Sequence, residues 1–267
     1  MTTTTTAGTT RTRPPREEAE ARRGSTTRLS RLRRMIAGRM SESLRVSAQL
    51  TAVQEADLTA VSEIRDGVKA RFREEEGASL THLAFIAHAT VAALAEFPRL
   101  NATIDESVTR VVHHPAVHLG IAVDTPRGLM VPVLRDADGL DVGQLAVRIA
   151  TLAGRVRDGS ITADELTGST FTLTNIGSAG SLLDTPIINQ PEVAILGTGA
   201  IRRLPRIVTG PDGEEGIAVR SVCYLPLTYD HRLVDGALAG RFLASVRTRL
   251  ERTDWTAHLP AYADAST

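Results

Sequence analysis

The chain has one cysteine, one tryptophan and, among its 31 basic residues, a single lysine, Lys69. Cys223 has no partner for an internal disulfide, so the fold must be held by its own core, as suits a reducing compartment. Aromatic residues make up 3% of the chain, and no zinc-finger spacing, RNA-binding signature or recognition helix occurs, so no nucleic-acid partner is expected. No apolar run reaches the roughly eighteen residues of a membrane span. The opening MTTTTTAGTTRTRPP lacks the apolar centre of a secretory signal, so a cytoplasmic protein with no membrane partner is expected. P-loop and dinucleotide fingerprints are missing, and Asp124, Asp136, Asp138 and Asp141 do not follow a calcium-loop pattern. No internal repeat is visible.

What is present suits a globular protein. A length of 267 residues with 42% hydrophobic content can bury a sizeable core. Net charge is zero but uneven: residues 1–45 hold eleven arginines against four glutamates, leaving 20 basic and 27 acidic groups in the remainder. A basic arm of this kind can meet phosphate. Residues 1–27 are mostly Thr, Arg, Pro and Glu, too polar to offset the entropy of ordering, and read as a disordered arm.

From Leu29 the pattern changes. Leu32, Met35, Ile36, Met40 and Leu44 recur at helical spacing between Arg31, Arg33, Arg34 and Arg39, which predicts an amphipathic helix with a basic side. QLTAVQEADLT reads as a strand, with Thr59 placed to cap the helix through Val61, Ile64, Val68 and Phe72. LTHLAFIAHATVAALAEF is apolar on most sides and should be a buried helix ending at Pro98. VTRVVHH, VHLGIAVD and GLMVPVLRD are short strand-like runs, and DVGQLAVRIATLAGRVRDG is a helix stopped at Gly159. STFTLTN, EVAILGTGAI, RLPRIV and GIAVRSVCYLPLTYD complete a strand set, with PDGEEG as the hairpin between the last two. ALAGRFLASVRTRLE closes the domain as a helix. Without a regular βαβ rhythm, this predicts one α+β domain with a mixed or antiparallel sheet.

Two stretches carry chemistry. In CYLPLTYDHRLVDG, a strand expected to bury Val222, Tyr224 and Leu227 runs into Asp230, His231, Arg232 and Asp235. An imidazole held between a strand and a glycine-opened helix is well supported for taking a proton, an effect worth about 10²- to 10⁴-fold in rate. A structural histidine is the plainer alternative, but a flanking carboxylate can orient the ring or brace the loop. In FTLTNIGSAGSLLDTPIINQPEVAILG, a strand delivers Thr174 and Asn175 to a Gly-Ser turn where backbone can approach a ligand. A threonine hydroxyl there could donate to an oxyanion, and loss of such a donor costs about 10²- to 10³-fold in turnover. HHPAVH looks metal-like, but Pro115 and its strand context break any shared helical face, so no metal is expected.

Taken together, LSRLRRMIAGRM, EADLT, HLGIAVDTPRGLMVPVLRD, FTLTN, TPIINQPEVAILG and YDHRLVDG resemble, in order, the catalytic domain of the dihydrolipoyl acyltransferase component of 2-oxo acid dehydrogenase complexes. The resemblance runs from about residue 29 to 251. It implies the chloramphenicol acetyltransferase-like α+β fold, with helices packed on one side of a mixed sheet, over residues 28–257, leaving 258–267 as a polar tail. It also implies roles: His231 as general base, Thr174 as oxyanion donor, and Asp235 as the acid that holds the active-site loop by a salt bridge. Relatives with asparagine at that last position argue against a proton relay. Arg34, Arg39 and Asn175 become candidates for contact with coenzyme A, whose phosphates suit arginine forks. The histidine and the hydroxyl meet across a subunit boundary in this family, so a homotrimer, or a multiple of trimers, is the expected assembly.

Acceptor identity is the open point. Complex-forming relatives precede this domain with lipoyl and subunit-binding domains, whereas only some 28 low-complexity residues precede it here, and Lys69 in RDGVKARF does not suit a lipoyl hairpin. The expectation is therefore that this chain carries no lipoyl group and acts as a stand-alone enzyme, moving acetyl from acetyl-CoA to a hydroxyl of a small-molecule acceptor such as a tetronate-type polyketide intermediate. The alternative is the dihydrolipoyl acetyltransferase core of a pyruvate or other 2-oxo acid dehydrogenase complex. A third reading, a non-catalytic core subunit, fits poorly with the presence of His231, Thr174 and Asp235.

Overall fold

The structure, a computed structural model, describes residues 24–126 and 128–263. Residues 1–23 of the expected disordered arm and 264–267 of the expected polar tail lie outside the described residues. In chain order the elements are α1 (Arg31–Val46), β1 (Gln49–Asp57), α2 (Thr59–Glu76), α3 (His82–Glu96), β2 (Ala102–Ile104), β3 (Val111–His113), β4 (Leu119–Ala122) and β5 (Val133–Leu134). There follow α4 (Val142–Asp158), β6 (Phe171–Asn175), β7 (Ala194–Thr198), β8 (Arg202–Thr209), β9 (Glu215–Asp230), α5 (Gly236–Arg252) and α6 (Pro260–Ala263). The helix α4 is bounded as its sequence predicts, by a capping box at Asp141 and Gln144 and by Gly159 in the left-handed region.

Seven strands form one mixed sheet in the order β1, β9, β7, β6, β4, β5, with β8 hairpinned onto the first half of β9. The pairs β4–β6 and β6–β7 are parallel; β1–β9, β7–β9 and β4–β5 are antiparallel. Side chains alternate across the strands. Phe171 and Leu173 of β6, Ala194 and Leu196 of β7, and Cys223, Leu225 and Leu227 of β9 join one core with the apolar residues of α2 to α5. The expected α+β domain with helices on one side of its sheet is thus what the chain builds. Thr172, Thr174, Gly197, Pro226 and Thr228 occupy the other face by the same alternation.

Several local expectations change. Thr59 is the first residue of α2 rather than its cap; Asp57 accepts the Thr59 N–H at 2.9 Å, while the Thr59 hydroxyl accepts the Ser221 N–H at 3.0 Å. Tyr224 is half-buried, because it lies on the sheet face away from the helices. GLMVPVLRD yields only two ladder residues plus a Val123–Met130 bridge, since Pro132 has no N–H to donate. Leu259 and Tyr262 are buried, and the Tyr262 hydroxyl donates to Glu76 at 2.9 Å, so packing continues past residue 257 into the segment expected to be a polar tail. Helix α1 forms, yet none of its apolar stripe is buried: Met35 and Leu44 are 49% and 54% exposed, and Ser43 is its buried residue. This helix lies outside the chain's own core.

Candidate active site

Strand β9 delivers His231 to a tight turn between the sheet and α5. Asp230 ends the strand, and its carbonyl accepts from Leu233 N–H at 3.0 Å and Val234 N–H at 2.9 Å. Asp235 follows as the N-cap of α5, its carboxylate accepting the Leu238 N–H at 2.7 Å. The His231 backbone N–H donates to Ala48 O at 2.8 Å, which pins the turn to the start of β1. The imidazole is exposed, stands 5.8 Å from the Tyr229 ring, and faces a depression of about 540 Å³ bounded by Ala48, Gln49, Leu50 and Arg232.

The carboxylate beside His231 is the buried one. Asp230 is 2% exposed, and its Oδ2 accepts from Arg232 Nη2 at 2.6 Å. Its Oδ1 accepts from Arg232 Nε at 3.0 Å, from Arg232 N at 3.1 Å and from Ala48 N at 3.3 Å. Asp235, to which the resemblance gives the loop-holding salt bridge, is exposed; among the described residues it has no ion-pair partner, and its visible task is the helix cap.

Thr174 sits half-buried on β6, in register with Ala122 of β4 and Gly197 of β7. It opens on a different cavity, of about 990 Å³, whose walls mix apolar residues (Ile121, Val123, Ile149, Ile201) with polar ones. Arg65 and Arg157 add positive charge to the lining, beside His82, and sequence reasoning missed all three. Burial, with Arg65 second, lowers the His82 pKa to about 4, so this ring is neutral at pH 7. Asn175 lines the same cavity, but its side-chain oxygen is taken by the Ser178 N–H at 3.1 Å, capping the turn that follows β6. That turn lies directly on the backbone of its neighbour: a Cβ on Gly177 would come within 2.5 Å of Gly199 and Ala200 backbone atoms. The Gly-Ser content there serves close approach.

His231 and Thr174 therefore line separate openings in one chain. Arg34 and Arg39 are exposed on α1 and border neither of them. The histidines of HHPAVH are each taken locally: His113 Nδ1 lies 3.2 Å from Pro98 O, His114 Nε2 2.8 Å from the Thr103 hydroxyl, and His118 Nδ1 accepts from Asp136 N at 3.1 Å. Lys69 lies within α2, 2.7 Å from Asp66. Among the described residues no helix is long and apolar enough to cross a membrane.

A second buried carboxyl went unread in the sequence. Glu192, fully enclosed, accepts at Oε1 from the hydroxyls of Ser169 and Thr172, at 2.5 and 2.9 Å, and from Asn189 Nδ2 at 2.8 Å. Its Oε2 has no protein partner among the described residues. Burial outweighs those donors and pushes the Glu192 pKa up to about 7. The available signal was an acid placed between Pro191 and the apolar run VAIL.

Comparison with known proteins places these features in one family. Residues 21–257 match the family described as 2-oxoacid dehydrogenases acyltransferase (catalytic domain). The chain is 50% identical over 237 residues to the dihydrolipoyllysine-residue acetyltransferase component of the pyruvate dehydrogenase complex of Mycobacterium tuberculosis, covering 89% of this chain and 43% of that protein. It is 40% identical to the dihydrolipoyllysine-residue succinyltransferase component of the 2-oxoglutarate dehydrogenase complex of Escherichia coli, over 84% of this chain and 53% of that one. The chain thus spans about half the length, or less, of these curated relatives. Among solved structures, the Azotobacter vinelandii dihydrolipoamide acetyltransferase superposes with a TM-score of 0.81 at 34% identity, covering 93% of this chain and 99% of that one. With YDHRLVDG and FTLTN both inside the matched span, the chain belongs to the 2-oxoacid dehydrogenase acyltransferase family, as an acyltransferase of the catalytic-domain type.

Proposed function

We propose that this chain moves an acetyl group between coenzyme A and a dihydrolipoyl thiol, as the catalytic domain of a pyruvate dehydrogenase acetyltransferase, with each active site shared by two chains of a trimer. The His231 imidazole takes the proton of the attacking thiol, and the sulfur adds to the thioester carbonyl. The Thr174 hydroxyl donates to the oxyanion so formed. Collapse expels the other sulfur as a thiolate, which recovers the proton from the imidazolium. No acyl-enzyme is needed, and the two half-reactions are the same step run in opposite directions.

The observation that carries this reading is the pairing of one family's base and hydroxyl motifs with their opening onto separate cavities of one chain. Two further features support the shared site: α1 leaves Met35 and Leu44 of its apolar stripe exposed, and the β8–β9 hairpin exposes Ile207, Ile217 and Val219 at 69%, 81% and 55%. The dihydrolipoyl acceptor is preferred to the hydroxyl acceptor expected first, because the 50%-identical relative is named as a dihydrolipoyllysine-residue acetyltransferase. Acetyl is preferred to succinyl since the succinyl relative stands at 40%. The work on the Azotobacter vinelandii enzyme concerns a serine, a histidine and an asparagine, the last two four positions apart as His231 and Asp235 are. Arg34 and Arg39 remain proposed coenzyme A contacts, to be made where α1 meets a neighbouring chain, and Asn175 a proposed contact through its free amide.

Steady-state transfer from acetyl-CoA to dihydrolipoamide, against a hydroxymethyl tetronate, tests the acceptor. Rapid turnover of dihydrolipoamide is expected; turnover confined to the tetronate would overturn the assignment. His231→Ala should lower kcat by about 10²- to 10⁴-fold.

A further inference from the structure

We infer that Asp230 is a positioning residue for His231, and that with Arg232 it forms a clamp fixing the imidazole between two bonded neighbours. The inference rests on the proposed role of His231 as base. Asp230 and Arg232 flank the histidine in sequence and close on each other across it, carboxylate to guanidinium, through Nε at 3.0 Å and Nη2 at 2.6 Å. The same carboxylate reaches Ala48 N at 3.3 Å, while Ala48 O holds the His231 N–H at 2.8 Å. Backbone on both sides of the imidazole is therefore tied to one point at the start of β1.

That point is itself braced. Gln49 Nε2 donates to Ser43 Oγ and Ser47 Oγ, both at 2.9 Å, and Gln49 Oε1 accepts from Ile188 N at 3.0 Å. Ser43 Oγ donates to Ile188 O at 2.6 Å. The end of α1, the start of β1 and the segment before β7 thus meet beside the clamp, and the His231 turn is anchored to three elements rather than one.

Energetics favour positioning over stability as the reason for the pair. Removing a carboxylate from water costs about as much as its ion pair returns, so a buried pair is weak grounds for stability. A fork gripping two carboxylate oxygens, in contrast, fixes direction as well as distance. A base displaced by about 1 Å loses on the order of 10²-fold in rate.

The test compares Asp230→Asn, Arg232→Lys and His231→Ala in the full chain, measuring kcat and KM for acetyl-CoA and dihydrolipoamide. Asp230→Asn should lower kcat about 10- to 100-fold, with both KM values within about twofold of wild type. Arg232→Lys keeps the charge but loses the fork, and should lower kcat about 3- to 10-fold with the same KM pattern. Wild-type kcat in Asp230→Asn, with His231→Ala inactive, would overturn the clamp and leave the base intact. Full activity in His231→Ala would instead overturn the base assignment itself. Should Asp230→Asn fail to fold, Arg232→Lys decides alone, and an unchanged kcat in that variant rejects the clamp.

Discussion

At residue scale, one titration separates a buried acid from its surroundings. Glu192 keeps its proton to about pH 7 in the folded chain, whereas an ordinary glutamate loses it near 4.5. Between those values the folded state binds more protons than the unfolded one, so stability falls as pH rises and is constant above the upper limit. The loss is on the order of 3 kcal/mol. His82, whose pKa is lowered to about 4, acts in the opposite sense below its usual value of 6.5, so the comparison must be made with a variant at each pH. Glu192→Gln keeps an acceptor oxygen for Ser169, Thr172 and Asn189 and removes the ionisation. Denaturant unfolding at fixed protein concentration should find it equal to wild type at pH 5 and more stable at pH 8. Equal stability at both values would mean that Glu192 titrates normally. The charge pattern on the page of the sequence could not reveal this group: burial of one acid among three donors is a tertiary outcome. The placement of His231 and Thr174 was legible because each stands at the end of an apolar strand, and their proposed roles rest on that placement. The clamp on His231 was only half legible, since the carboxylates were visible but which one turned inward was not.

At element scale, the sheet is held in register by contacts that leave no room for a methyl group. A Cβ on Gly120 of β4 would lie 2.6 Å from Thr172 Oγ1 and 2.9 Å from Val131 Cγ1. Gly120→Ala must push β4 from β6 and break the Thr172–Glu192 hydrogen bond, lowering stability by about 1–3 kcal/mol. A lower midpoint in urea at unchanged slope is the expected signature. Two residues further along, the same strand pair sets Ala122 beside Thr174, so kcat should fall along with the midpoint. Element types were read well where a period ran long: α3, α4, α5, β6 and β9 form where their patterns fall. Boundaries failed where one atom decided them, as with Pro132 lacking a donor in β5 and Asp57 accepting the Thr59 N–H, so that Thr59 begins α2 instead of capping it. The stripe on α1 shows a different limit. Periodicity identifies an apolar face but not the chain that covers it.

At the scale of the whole molecule, a single chain holds the two halves of the proposed catalytic pair, His231 and Thr174, on two separate openings, and exposes apolar side chains on α1 and the β8–β9 hairpin. Assembly would resolve both features at once by placing the imidazole of one protomer opposite the hydroxyl of the next. Cyclic assemblies with such head-to-tail interfaces make every site depend on two subunits. The direct measurement is acetyl transfer by mixed oligomers made from His231→Ala and Thr174→Ala chains, co-expressed with different tags and purified through both. Each parent alone should be nearly inactive, while every trimer that carries both tags should hold one complete site out of three, restoring about a third of the sites, each with one intact imidazole and one intact hydroxyl. Activity no higher than the mean of the two parents would place both groups in one subunit and contradict the shared site.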